Sequence, residues 1–173
     1  MRLWERVRNL TVQKILRIPA NASIKVVAGT VEHEIDAPAL SKLAPKVVVL
    51  TTTKTVAAFE TGTHFILNTA TAFVTTLPLP AAGLEFFFHI GATEPTTSHT
   101  VVTNGSANII EGNLASPDMN AASDITTVAD ADIITFVASK ALHGDFAHVW
   151  SDGTNWYLDG MCKAFDGMTT AST

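Results

Sequence analysis

Cysteine and charge are both scarce in this chain. Cys162 is the only cysteine among 173 residues, so no intramolecular disulfide can form. Assembly in a reducing compartment is the corresponding expectation. Charged residues make up 16% of the chain, against ~25% in ordinary soluble domains. Threonine and alanine fill much of the difference. A surface of that kind suits β-structure, and it equally suits burial against neighbouring subunits. No stretch approaches the ~18 consecutive apolar residues of a membrane-spanning helix. The opening MRLWERVRNLTVQKILRIP has neither a continuous apolar region nor a small-residue cleavage site, so it does not read as a signal peptide. Catalytic signatures are missing too. There is no G-x-S-x-G elbow, and Glu32-His33-Glu34 lacks the second histidine that a zincin helix requires.

The hydrophobic fraction, 47%, is large enough for a real core in one domain, with an arm attached. Its pattern is that of strands. Asp132–Ser139, Phe146–Ser151 and Asn155–Met161 alternate apolar and polar residues, and the last two meet at Asp152-Gly153-Thr154. Asp-Gly between two alternating runs is a strong hairpin signal, because glycine supplies a positive φ without steric cost. Upstream, His64–Leu67, Thr71–Leu77, Leu84–Ile90, Thr100–Thr103 and Asn108–Glu111 are further candidate strands, separated by turn signals such as Asn104-Gly105. In Leu84–Ile90 the face formed by Leu84, Phe86, Phe88 and Ile90 should be core. Phe87, on the face shared with Glu85 and His89, indicates that this second face is partly covered. The expected architecture is all-β: an antiparallel β-sandwich or jelly-roll-like domain over residues 61–173.

Residues 1–60 differ in charge. They hold nine of the 11 basic residues against five acids, a balance of +4, while residues 61–173 hold two against eleven, a balance of -9. This is the pattern of a basic arm on an acidic body. Leu3, Trp4, Val7 and Leu10 recur at helical spacing, interleaved with Arg2, Arg6 and Arg8; Lys14 and Arg17 follow. A short helix over Arg2–Leu10 is expected, in an extended or short-helical arm closed by Pro19. The arm can be read as a docking element, as a helix on its own domain, or as a membrane-surface helix, in that order. Ala22–Thr30 and Lys46–Thr51 read as strands, Thr55–Phe59 as a further candidate, and Asp36–Pro45 as a connector.

Three segments carry a resemblance: TLPLPAAGLEFFFHIGA (Thr76–Ala92), HTVVTNGSANIIEG (His99–Gly112) and ITFVASKALHGDFAHVWSDGTNWYLDG (Ile134–Gly160). Together they resemble a β-domain common in virion proteins of tailed bacteriophages, among them head decoration or cement proteins and some tail and fibre components. The resemblance spans roughly His64 to Met161. It implies a trimer-forming β-sandwich with a structural role and no enzymatic residues. Members differ most in the N-terminal part, where attachment is usually encoded, so no family residue carries over onto residues 1–60.

Other constellations have the residue types of chemical sites. His143, Asp145 and His148, with Asp130 and Asp132, contain ligand types for a metal, but a turn and hairpin hydrogen-bond network accounts for them better. Asp130, Asp132, Asp152 and Asp159 supply carboxylates of the kind a glycosidase pairs, yet Asp152 is explained by its turn. Trp150, Trp156 and Tyr157 beside Asp152 and Asn155 have the composition of a sugar platform. Core and interface anchoring is the favoured account of them. Cys162 reads as a packed thiol. Three N-x-S/T sequons are chance matches in a Thr-rich chain.

The expectation from sequence is therefore a non-enzymatic structural protein without cofactor or metal. Its expected form is a homotrimeric capsid decoration protein bound to the major capsid protein on the outer surface of the virion and assembled in the host cytoplasm. Arg2, Leu3, Trp4, Arg6, Val7, Arg8, Leu10, Lys14 and Arg17 form the expected capsid-binding set. Neither nucleic acid nor membrane is expected as a direct partner. A tail or fibre component is the alternative, and a carbohydrate-binding module a more distant one.

Overall fold

Alternation with period two is what builds the strands of this chain, and over residues 46–173 it does so in two sheets that turn one face each to a shared core. In the computed structural model the described residues are 23–28, 31–36, 46–116 and 125–173. The chain divides into two units, 1–44 and 45–173. In the first, β1 (Ser23–Ala28) pairs antiparallel with β2 (Val31–Asp36) in register Ser23↔Asp36 to Ala28↔Val31. The expected helix over Arg2–Leu10 lies outside the described residues.

The second unit is a β-sandwich. It begins with β3 (Lys46–Leu50) and β4 (Lys54–Thr55), followed by β5 (Thr63–Leu67), β6 (Val74–Thr76), β7 (Glu85–Ile90) and β8 (His99–Val102). After these come β9 (Ile110–Ala115), β10 (Ile125–Ala131), β11 (Ile133–Phe136), β12 (Phe146–Ser151), β13 (Trp156–Met161) and β14 (Met168–Ala171). One sheet has seven strands in the order β10-β9-β13-β12-β7-β5-β3, and the other five in the order β14-β11-β8-β6-β4. Residues 46–60, grouped with the arm on charge, thus supply β3 and β4 to the two sheets.

An all-β sandwich is what the sequence pattern predicts. The strand pairing departs from the expected antiparallel one, since both sheets are mixed. From β3 to β8 the chain passes alternately between the sheets, so β3, β5 and β7 run parallel in one and β4, β6 and β8 parallel in the other. This is a short solenoid. Corner backbone groups bond from one coil to the next: Asn68 N–H to Leu50 O (2.9 Å), Gly91 N–H to Leu67 O (2.8 Å), Val56 N–H to Thr76 O (2.8 Å) and Leu77 N–H to Val102 O (2.8 Å). The rest of the chain adds antiparallel strands. The β12–β13 hairpin fills the place between β7 and β9, antiparallel to β7 and parallel to β9. β11 extends the other sheet beside β8 and is itself edged by β14.

The core lies between the sheets. Phe65, Phe86, Phe88, Phe136, Ile110, Ile134, Val149 and Trp156 are all fully buried. Burying each large apolar side chain contributes ~1.5–3 kcal/mol against the entropy of ordering it. Gly112 marks the tightest approach. At its φ of 140° an added Cβ would sit 2.0 Å from Leu158 O, so only glycine permits β9 to lie beside β13 there.

Candidate functional site

The seven-stranded sheet shows its inner residues to the core and sends the alternate ones to its outer face. That outer face concentrates aromatic, histidine and aliphatic side chains. Register aligns them in transverse rows. Val47, His64, Phe87, His148 and Asp159 form one row. Val49, Ile66, His89, Phe146 and Met161 form the next, and Ile125 on β10 continues it beyond Ala115. Glu85, Trp150, Tyr157 and Glu111 form a third.

The rows are held by ring stacking. Phe87 lies between His64 at 4.3 Å and His148 at 4.2 Å, with interplanar angles of 5° and 4°. Trp150 stacks on its cross-strand partner Tyr157 at 4.4 Å. Cross-strand aromatic pairs of this kind stabilise a sheet by ~0.2–1 kcal/mol each. His64 Nδ1 and His89 Nε2 are 3.2 Å apart and share one hydrogen, with ring centroids separated by 5.4 Å. The rings therefore sit nearly end to end, and the two nitrogens aim at each other, not at a common third point. Burial, with the nearby His64, lowers the His89 pKa below its ordinary 6.5. His148 Nε2 is 3.6 Å from Glu85 Oε2, beyond hydrogen-bond range and within reach of an ion pair when the ring is protonated. A shallow depression of about 380 Å³ opens at the β3 side, lined by Val47, His64, Ile66, Asn68, His89 and His143 among others.

The sequence-flagged residues fall into separate places. Asp145 is buried and organises a turn: its carboxylate accepts from Leu142 N–H (2.8 Å) and from Lys163 N–H (3.0 Å). His143 is held by its backbone, its N–H donating to Glu94 Oε1 (3.0 Å) and its carbonyl accepting from Lys163 Nζ. His148 belongs to the outer-face stack. Asp132 is buried and accepts from the Thr173 hydroxyl (2.5 Å), while the Asp130 N–H donates to Glu111 (3.2 Å) at a bulge in β10. Among the described residues, no three histidine, cysteine, aspartate or glutamate side chains converge as a metal set would. Asp152 closes the β12–β13 turn, accepting from Thr154 N–H (2.8 Å), Asn155 N–H (2.9 Å) and the Tyr157 hydroxyl (2.9 Å). The Asn155 and Thr154 amides, then Tyr157, lower its pKa, and the same contact raises that of Tyr157. Trp156 is a core anchor, and Cys162 is a buried thiol facing Ala115 O. The capsid-binding set, Arg2 through Arg17, lies outside the described residues.

Sequence reasoning singled out Phe87, His89, His148, Trp150 and Tyr157 for separate reasons and missed that they stand in rows on one face. His64, Phe87 and His148 are far apart in sequence, and only the strand order brings them together. Compared with protein-family models, curated proteins and solved structures, the chain matched none of them.

Proposed function

We propose that this chain is a structural component of a tailed-bacteriophage virion: a head decoration, or cement, protein. In this reading it forms a homotrimer, binds the major capsid protein on the outer capsid and stabilises the head. It carries no turnover and needs no cofactor. The observation that carries the proposal is the outer face of the seven-stranded sheet, where Val47, Val49, Trp150 and Met161 are 64%, 57%, 43% and 47% exposed beside the stacked rings of His64, Phe87 and His148. A wide apolar face of that kind is what a subunit of an assembly presents. The resemblance of Thr76–Ala92 and Ile134–Gly160 to virion β-domains supplies the type of assembly. The basic, amphipathic residues 2–17 supply an anchor for an acidic shell.

Tail and fibre components use the same β-domain, so location is the property to measure. Counting copies per purified particle tests it: hundreds support the decoration role, and a handful moves the chain to the tail. The anchor is tested by binding to undecorated capsids. Deleting residues 1–18 should abolish decoration, and added salt should weaken binding of the full chain. Wild-type binding by the truncated chain would remove the arm from the proposal.

A further inference from the structure

The outer face of the seven-stranded sheet has a more specific consequence. We infer that it is the surface through which copies of this chain meet, so that its occupant is a second copy packed on the row Val49, Ile66, His89, Phe146 and Met161. The inference rests on the proposal that the chain self-associates, and it adds where.

Area is the first argument. Two outward rows cross all seven strands and a third crosses four; with strands ~4.8 Å and rows ~7 Å apart they cover roughly 550 Å² in plan. Side-chain relief adds to this, which brings the face near the ~800 Å² per partner of a stable protein interface. Charge is the second. None of the outward side chains on the seven strands is Lys or Arg, and the row named above has no carboxylate. The acids Glu85 and Glu111 stand together in the row with Trp150 and Tyr157, at one margin. Asp159 ends the adjoining row on β13, so copies that meet through the uncharged row keep Glu85 and Glu111 two rows away and Asp159 one row away. An apolar patch bordered by polar groups is the ordinary anatomy of a subunit contact. A strongly basic partner would leave its cations over Val49, Ile66 and Phe146 without counter-charges. Rigidity is the third. In the adjoining row His64, Phe87 and His148 are already stacked within 5° of parallel, so the part of the contact that reaches them orders little that is still free.

The test uses the full chain. Light scattering and sedimentation across ~0.1–100 μM measure its mass, beside the double variant Val49→Lys/Met161→Lys and the control Leu79→Lys, which places a charge at an exposed loop site between β6 and β7, on none of the seven strands. The double variant should dissociate at least ~100-fold more readily while keeping the wild-type circular dichroism spectrum, and the control should remain assembled. A second readout needs no variant: peroxide oxidation of Met161, followed by mass spectrometry, should be slow in the oligomer and speed up on dilution. A monomeric wild-type chain over the whole range would overturn both this inference and the self-association beneath it. An oligomer that survives the double substitution, or whose Met161 oxidises as fast as in the urea-unfolded chain, would overturn the inference alone and leave the trimer standing.

Discussion

The two faces of the seven-stranded sheet are built from the same strands and obey different rules. On β7 the inward residues Phe86, Phe88 and Ile90 are no more than 1% exposed, while Phe87 and His89 on the outward side are half-buried. Both sides are aromatic. Inside, stacked pairs such as Phe65 and Phe88 (5.4 Å, 16°) stand beside tilted ones such as Phe86 and Trp156 (5.9 Å, 43°). Outside, they form a single stacked layer across β5, β7 and β12. The comparison teaches that period-two alternation assigns faces without making one of them polar. A face can alternate correctly and still be sticky.

That contrast can be broken at several points. The largest effect should come from the inner side of β9. Gly112→Ala would push a methyl into the Leu158 carbonyl, separate β9 from β13 and cost more than about 4 kcal/mol in urea unfolding, or abolish soluble expression. Next is Phe88→Ala, which should cost about 3–5 kcal/mol because it opens a cavity in a fully buried layer. Phe87→Ala, the same chemistry one residue away on the other face, should cost about 1–2 kcal/mol. Equal losses for the two phenylalanines would mean that the outer layer is as buried as the core.

Acid sharpens the comparison further. His99, on β8, is fully buried, with its ring 4.4 Å from Phe73 and its Nε2 donating to Thr69 O (2.9 Å). Burial lowers its pKa below the ordinary 6.5, although the bond to Thr69 pulls the other way. The unfolded chain therefore takes up a proton that the folded chain refuses. Stability is fully present above pH ~6.5 and falls as pH drops below it, by up to about 1.4 kcal/mol per pH unit for each such histidine. His99→Phe should flatten that slope in urea midpoints taken between pH 7.5 and 5. The smallest effect belongs to Val49→Thr, expected within about 0.5 kcal/mol for the isolated chain because the side chain is exposed on the outer face. A large loss there would show that this strand depends on its neighbours even before assembly.

Much of the architecture was legible because its signals are local. The Asp152-Gly153 turn, the β12 and β13 runs and the two faces of β7 all follow from residues within a few positions of one another. The parallel coil was not legible. Alternation in Thr63–Leu67 or Glu85–Ile90 says which residues share a face and nothing about the direction of the strand beside them. The longer connections between β5, β6 and β7 were the available hint, since a hairpin would have closed sooner. β10 and β14 escaped notice because Ile125–Ala131 and Met168–Ala171 are rich in Thr and Ala, with weak contrast between alternate positions. The outer-face stack escaped because its members come from three strands whose adjacency only the fold decides.

The position of the β12–β13 hairpin also governs the order in which a growing chain can complete itself. β9 lies beside β13, and β13 follows it by more than forty residues. Until Met161 has been made, the sheet that starts from β3, β5 and β7 ends in an open edge at β7, and β9 has only β10 beside it. The solenoid can wind as it emerges from the ribosome; the sandwich closes only when its last hairpin arrives. A nascent chain stalled near residue 145 would therefore carry two unpaired edges and half of an uncovered core, a species that favours aggregation until synthesis resumes.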